Sequence, residues 1–302
     1  MIMNKTHINA RKILADHGLH PKKNLGQNFL TDSHVLDKIV AAANLAPDDL
    51  VIEVGPGLGV LTTELARAAK KVVAIEIDTN LAGILRDAVP PNVEIINQDI
   101  LKTDMGEIIT QSGFSRAKLV ANLPYYITTP IIFAVLENNL PVDTLVVMVQ
   151  KEVADRMLAA PSTKAYGLLT LSIAYYGKAS LVANVPPNCF FPRPDVHSAV
   201  VKIETFPSKE GCPLARGGSF PSPGGVPFSP GWFFPIIKAA FANRRKTLQN
   251  CLAASSDLNL TKQAAASLIA AASLPENIRG EALAFDDFLR LAAFYSDIIL
   301  KQ

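Results

Sequence analysis

From residue 50 onward, apolar positions alternate between two patterns. LVIEV (50–54), KVVAIEI (71–77), NVEII (92–96), AKLVAN (117–122) and TLVVMV (144–149) are short, β-branched and nearly continuous in apolar content, as strands covered on both faces are. Between them the apolar spacing changes to three and four. In LGVLTTELARAA, for example, Leu58, Leu61, Thr62, Leu65 and Ala69 share one helical face. Five strand-then-helix units in succession predict right-handed crossovers and a parallel, doubly wound sheet. The expected fold class is α/β.

Past residue 150 the alternation weakens. SLVANV (180–185) and SAVVKIE (198–204) supply two further strands, and the short NCFFPRP connection between them suits antiparallel neighbours at a sheet edge. Residues 207–231 hold twelve Pro or Gly among twenty-five residues, a composition that buries too little surface to fold and reads as a linker or mobile loop. From Trp232 the pattern is helical throughout, with Leu283, Phe285, Phe288, Leu289, Ala292 and Phe294 at helical spacing near the end. The expected organisation is a large α/β domain over residues 1–206, a linker over 207–231 and a small all-helical domain over 232–302.

Composition adds limits. With 302 residues, 49% of them hydrophobic and 19% charged, the chain is long enough for a large core and a second, smaller domain. No segment approaches the ~20 uninterrupted apolar residues of a membrane span, and MIMNKTHINARKIL lacks the apolar core of a secretion signal. A cytoplasmic protein is expected. Cys189, Cys212 and Cys251 are far apart and show no CxxC spacing, which indicates neither a disulfide framework nor a metal site. The net charge of +2 divides unevenly: +3 over residues 1–46, −6 over 47–150 and +5 over 151–302. Basic flanks around an acidic middle keep nucleic acid open as a partner, although a solvated surface explains such a balance equally well.

Candidate chemistry begins where the first strand runs into EVGPGLG, with Gly55, Gly57 and Gly59 at alternate positions. Glycines there let the backbone turn sharply into a helix and approach a ligand closely. The spacing GxGxG differs from the dinucleotide fingerprint GxGxxG and disfavours NAD. A tight turn without a ligand is the competing reading. About twenty residues on, Glu76 ends the second strand, where an acidic side chain accepts from a ribose diol. Asp99 ends the third, where a carboxylate could accept from an adenine amine or merely cap a turn. Three successive strand ends suited to parts of one adenosyl ligand are harder to explain by turns alone, because ligands in open α/β sheets bind outside these carboxyl ends.

The fourth strand delivers ANLPYY (121–126) to the same edge. This stretch resembles the signature of S-adenosylmethionine-dependent methyltransferases acting on exocyclic amines of nucleobases. Together with KKNLGQNFLTD, EVGPGLGVLT, VVAIEID, INQDIL, VANLPYYITTPIIF, FFPRPDVHSAVV and AAFANRRKTLQNCL, it is similar to the ribosomal RNA adenine N6,N6-dimethyltransferases, from about residue 12 to about residue 295 and most of all to their small-subunit branch. The resemblance implies a Rossmann-like class I methyltransferase sheet with a small C-terminal helical domain, and S-adenosylmethionine as methyl donor. It implies that Asn28, Leu30, Gly55, Gly57, Glu76, Asp99 and Asn122 bind the donor. Asn122 and Leu123 would accept the two N–H groups of the target amine and turn its lone pair toward the methyl group. Tyr125 would stack on the base, with Phe190, in the register of FFPRPDVHS, packing on its other side. Tyr126 receives no role, and His34 and His197 read as surface residues.

The same resemblance points to RNA contacts at Arg244, Arg245 and Lys246 of NRRK, expected on a helix, and at Lys22 and Lys23; a solvated face is the bland alternative for each. The activity implied is transfer of methyl groups to N6 of two adjacent adenosines, each dimethylated, in a loop near the 3′ end of small-subunit 16S ribosomal RNA, by a monomer acting in ribosome biogenesis on the RNA or the immature small subunit. Two other functions share many of these motifs. One is a large-subunit 23S adenine methyltransferase of the resistance type, and the other is a non-catalytic assembly factor that binds RNA, for which a damaged NLPY or glycine loop would be expected. A DNA amino-methyltransferase would need a target-recognition domain between the motifs, and none is visible.

Overall fold

The computed structural model describes residues 9–138, 140–206 and 230–299. Of the stretch expected as a linker, only residues 230 and 231 fall within these, and they open a helix rather than closing a loop; Cys212 lies outside the described residues. Two compact units are formed. One contains the described residues up to Ala154 together with Ala179–Thr205, the other Asp155–Lys178 with the described residues from Phe206 on.

The first unit is built on a seven-stranded sheet with a separate two-stranded piece. In chain order with the helices that separate them, its elements are α1 (Ala10–Asp16), β1 (Phe29–Leu30), α2 (Ser33–Ala43), β2 (Leu50–Val54), α3 (Val60–Ala68), β3 (Lys71–Glu76), α4 (Thr79–Ala88), β4 (Val93–Asn97), α5 (Met105–Gln111), β5 (Ala117–Asn122), α6 (Thr128–Glu137) and β6 (Val142–Gln150). After α7 (Lys151–Met157) and α8 (Leu168–Tyr176) come β7 (Gly177–Val185), β8 (Phe190–Phe191) and β9 (Ser198–Thr205). The main sheet runs β4-β3-β2-β5-β6-β9-β7. β2 pairs in parallel with both β3 and β5, β3 with β4, and β5 with β6, whereas β9 is antiparallel to β6. Chain order therefore reverses between β2 and β5, and such a reversal opens a crevice at the carboxyl ends of the two strands.

All five residues of β2 are buried, which is why its sequence is nearly continuous in apolar character. Val51, Val72, Val120 and Val146, one from each of four adjacent strands, are completely buried with Ile39 of α2 and Leu65 of α3. Each such side chain contributes roughly 1.5–3 kcal/mol by leaving water. On α3 the buried residues are Leu61, Thr62, Leu65 and Ala66, the face read from the sequence. A separate two-stranded piece pairs β1 with β8, Phe29 opposite Phe191 and Leu30 opposite Phe190.

The second unit contains α9 (Pro230–Ala242), α10 (Leu248–Ala253), α11 (Lys262–Ala271) and α12 (Phe285–Ile299). The boundaries differ from the expected 1–206 and 232–302, because residues 155–178 also belong here. Tyr166, Leu171 and Tyr175 share one core with Phe233, Phe288 and Tyr295, and the rings of Tyr175 and Phe233 stack with centroids 4.8 Å apart. The aromatic content of α8 drives this, and it is not apparent from the order of elements alone. Among the described residues no helix is long and apolar enough to cross a membrane.

Candidate active site at the carboxyl edge of the sheet

Beyond Val54 the backbone enters the glycine bend. Gly55 N donates to Ile75 O at 2.9 Å, tying the bend to the end of β3, and Gly55 and Gly57 have φ of 68° and 60°, a region that side chains with a Cβ avoid. Gly57 is also short of space, since a Cβ there would lie 3.0 Å from the Phe29 ring. At Gly55 the same construction reaches Pro124 Cδ at 3.8 Å and Asn122 O at 3.9 Å. A methyl group added to the bend after β2 would thus touch the NLPY turn after β5, and bend and turn line a single cavity.

Asn28, Leu30, Gly55, Gly57, Glu76, Asp99 and Asn122, and also Leu123 and Tyr125, all line that cavity. Glu76, at the end of β3, accepts from Gly57 N at 3.1 Å and Asp78 N at 2.9 Å. Burial raises its pKa above the ordinary glutamate value in spite of these bonds; each oxygen retains a second lone pair for a further donor. Asp99 accepts from Leu101 N at 3.0 Å, so it does cap a turn, and it faces the cavity as well. Glu53, which the sequence reading passed over, is 1% exposed. Burial first, and the neighbouring Glu76 charge second, push its pKa up to about 8, with the Thr62 hydroxyl offsetting part of this.

The NLPY turn follows from the sheet ladder. Asn122 is the last residue of β5, opposite Met148, and Leu123 N extends the ladder by one bond to Met148 O at 3.1 Å. Pro124 has no N–H with which to continue and ends it. The Asn122 carboxamide donates through Nδ2 to Asn28 O at 3.0 Å, which fixes its orientation and leaves Oδ1 as an acceptor. Tyr125 is half-buried, and its hydroxyl is 2.7 Å from the Ser198 Oγ. Ser198 is fully buried and closes the FFPRPDVHS motif, so a function for that serine is visible only once β9 is placed beside β6. Tyr126 is exposed and faces Gly26 across the mouth of the cavity.

Three expected contacts are corrected. Phe190 does not line the cavity: opposite Leu30 in the small sheet, it is 5% exposed and packs in the core that contains Ile39 and Val200, so of the two expected ring partners for a base only Tyr125 is at the cavity. Lys22 is not a free cation, because its ammonium pairs with the buried carboxylate of Asp78 at 2.8 Å. Arg244 is directed inward within its own unit, donating to Lys164 O at 2.6 Å and also to Tyr166 O. The NRRK residues occupy the turn between α9 and α10 rather than a helix, since Asn243 O accepts from Lys246 N at 3.1 Å. Lys23, Arg245 and Lys246 are exposed, as are His34 and His197. Cys189 and Cys251 are buried free thiols.

This cavity suits S-adenosylmethionine. A carboxylate stands at a strand end, a Cβ-free bend runs along one wall, and Glu53 Oε2 is buried without a hydrogen-bond partner, a polar atom left for a ligand to meet. The profile of the family described as ribosomal RNA adenine dimethylase matches residues 18–210. The chain belongs to that family. A ribosomal RNA small subunit methyltransferase A from Lachnoclostridium phytofermentans is 46% identical over 275 residues, covering 90% of each chain. Among solved structures, a dimethyladenosine transferase from Plasmodium falciparum superposes with a TM-score of 0.66 at 27% identity, covering 87% of this chain and 95% of that one. The 23S rRNA methyltransferase ErmE gives 0.65 at 26%, covering 89% and 100%. The fold is the class I methyltransferase fold, and the protein is an S-adenosylmethionine-dependent ribosomal RNA adenine dimethyltransferase.

Proposed function

We propose that the enzyme methylates N6 of two adjacent adenosines, each twice, in a loop near the 3′ end of small-subunit 16S ribosomal RNA, acting as a cytoplasmic monomer on immature small subunits. The observation that carries the amine chemistry is the Asn122 carboxamide, held through Nδ2 by Asn28 O so that Oδ1 is left to accept. S-adenosylmethionine supplies an electrophilic methyl group on a sulfonium. Glu76 accepts from the ribose and Asp99 from the adenine of that donor. Asn122 Oδ1 and Leu123 O accept the two N–H groups of the target, drawing its nitrogen toward a tetrahedral form. Tyr125 stacks on the base, a contact of roughly 1–3 kcal/mol, once the adenine has been turned out of its helix or loop. No strong base is required, because the methylated amine carries a proton that it can release to water. After the first transfer one N–H remains, enough to orient the nitrogen for the second.

The small-subunit assignment is supported by the curated relative at 46% identity. The large-subunit alternative has support from the likeness to ErmE, whose TM-score of 0.65 is close to the 0.66 of the dimethyladenosine transferase, so fold does not discriminate between them. Labelled methyl donor with small- or large-subunit particles from an unmethylated source is the test. Label is expected in small-subunit RNA at N6 of adenosine; label confined to large-subunit RNA overturns the proposal. In the same assay Asn122→Ala is expected to abolish turnover while RNA affinity is retained, and full turnover would exclude the amine contact.

A further inference from the structure

Asp78 stands two residues beyond Glu76 and is buried, its side chain only 3% exposed. Its carboxylate gathers three donors: Lys22 Nζ at 2.8 Å and Asn80 N at 3.1 Å on Oδ1, and Gln27 Nε2 at 2.9 Å on Oδ2. Gln27 is fixed at its other end as well, since its Oε1 accepts from Lys22 N at 2.8 Å. The next residue is Asn28, whose carbonyl holds the Asn122 carboxamide at 3.0 Å. Through its own N–H, Asp78 also donates to Glu76 Oε1 at 2.9 Å. Hydrogen bonds, with the backbone step from Gln27 to Asn28, therefore join the ribose-binding carboxylate, the amino-terminal segment and the catalytic carboxamide.

We infer that Asp78 is a positioning residue for the donor site: with Lys22 and Gln27 it forms a clip that holds the segment 22–28 over the cavity, and donor affinity depends on that clip. Leu25 to Leu30 line the cavity. Past the clip, this segment is secured by the pairing of Phe29 and Leu30 with β8, so the clip fixes the end that β1 does not. Burial alone would raise the Asp78 pKa, but the bonds from Lys22, Gln27 and Asn80 outweigh it and keep the carboxylate below its usual range. Asp78 is thus a charged anchor. Lys22 acts on the donor side of the enzyme, whereas a phosphate contact would act on the RNA side, and the two roles make opposite predictions.

The inference rests on this cavity holding the donor and is independent of which RNA is methylated, so its test contains no RNA. Titration calorimetry with S-adenosylhomocysteine, the demethylated donor, measures affinity for the wild type, Lys22→Met, Gln27→Ala and the double variant. Loss of one charge-assisted hydrogen bond implies roughly tenfold weaker binding for Lys22→Met. Lys22→Arg should recover most of that loss. The double variant should lose less than the product of the single effects, because both residues serve one carboxylate. Hydrogen exchange at residues 22–28, slowed by ligand in the wild type, should be slowed less in Lys22→Met. Unchanged affinity in Lys22→Met overturns the clip. Asp78→Asn serves as a second variant, and wild-type affinity in it would do the same.

Discussion

A carboxyl group sealed beneath the glycine bend sets a pH dependence that needs no substrate to observe. Glu53 keeps its proton in the fold up to about pH 8, against an ordinary value of 4.5, because burial and the Glu76 charge both disfavour ionisation. The unfolded chain binds fewer protons at this residue throughout that interval, so its contribution to stability is complete below about 4.5, declines as pH rises toward 8, and is lost above. Glu53→Gln retains a neutral polar group of the same size. Its unfolding midpoint relative to wild type should therefore rise between pH 5 and pH 8, measured by thermal melts of the ligand-free protein; a difference independent of pH would show that Glu53 is already ionised. The residue scale is also where sequence reading was strongest in identity and weakest in partnership. Asn122, Glu76 and Asp99 could be placed at strand ends from the apolar runs that precede them, whereas the bond from Asn122 to Asn28 joins residues 94 positions apart, which no local pattern encodes.

At the scale of elements, Arg244 shows how a charge triplet can mislead. NRRK follows the apolar IIKAAFA and suggests a cationic helix face, but α9 stops at Ala242 and the chain turns. The Arg244 guanidinium then donates to the carbonyls of Lys164 and Tyr166 and lies 5.7 Å from the centroid of the Phe241 ring. These bonds fasten the loop that precedes α8. Arg244→Met should lower the stability of the helical unit by about 1.5–3 kcal/mol, the scale for hydrogen bonds involving a charged group, and should leave the salt dependence of RNA binding unaltered. Melts together with RNA binding at several salt concentrations test this; a wild-type midpoint with a shallower salt slope would return Arg244 to the RNA surface. The long strands were legible because each is a run of β-branched residues with few polar interruptions. β1 and β8 were not, since two residues each are too few to show a period. The union of residues 155–178 with the C-terminal helices was equally hidden, because it depends on Tyr166 and Tyr175 meeting Phe233 and Phe288, contacts remote in sequence.

Across the whole molecule the uneven charge of the sequence acquires two explanations. The acidic middle supplies Glu76 and Asp99 to the cavity wall, beside the proton-retaining Glu53, and Asp78 to the clip. The basic flanks lose Lys22 and Arg244 to internal bonds, which leaves Lys23, Arg245 and Lys246 from the expected RNA set with exposed side chains. A phosphate contact made by a single-stranded RNA contributes about 0.7 to the slope of log affinity against log salt. If all three cations each neutralise one phosphate, Lys23→Gln, Arg245→Gln and Lys246→Gln together should reduce that slope by about 2, while donor affinity without RNA and turnover at saturating RNA stay near wild type. Filter binding from low to physiological salt, with a small-subunit RNA fragment as probe, measures the slope. A full wild-type slope in the triple variant would assign the electrostatic contact to other cations, and a loss of donor affinity would mean that Lys23 belongs to the clip with its neighbour.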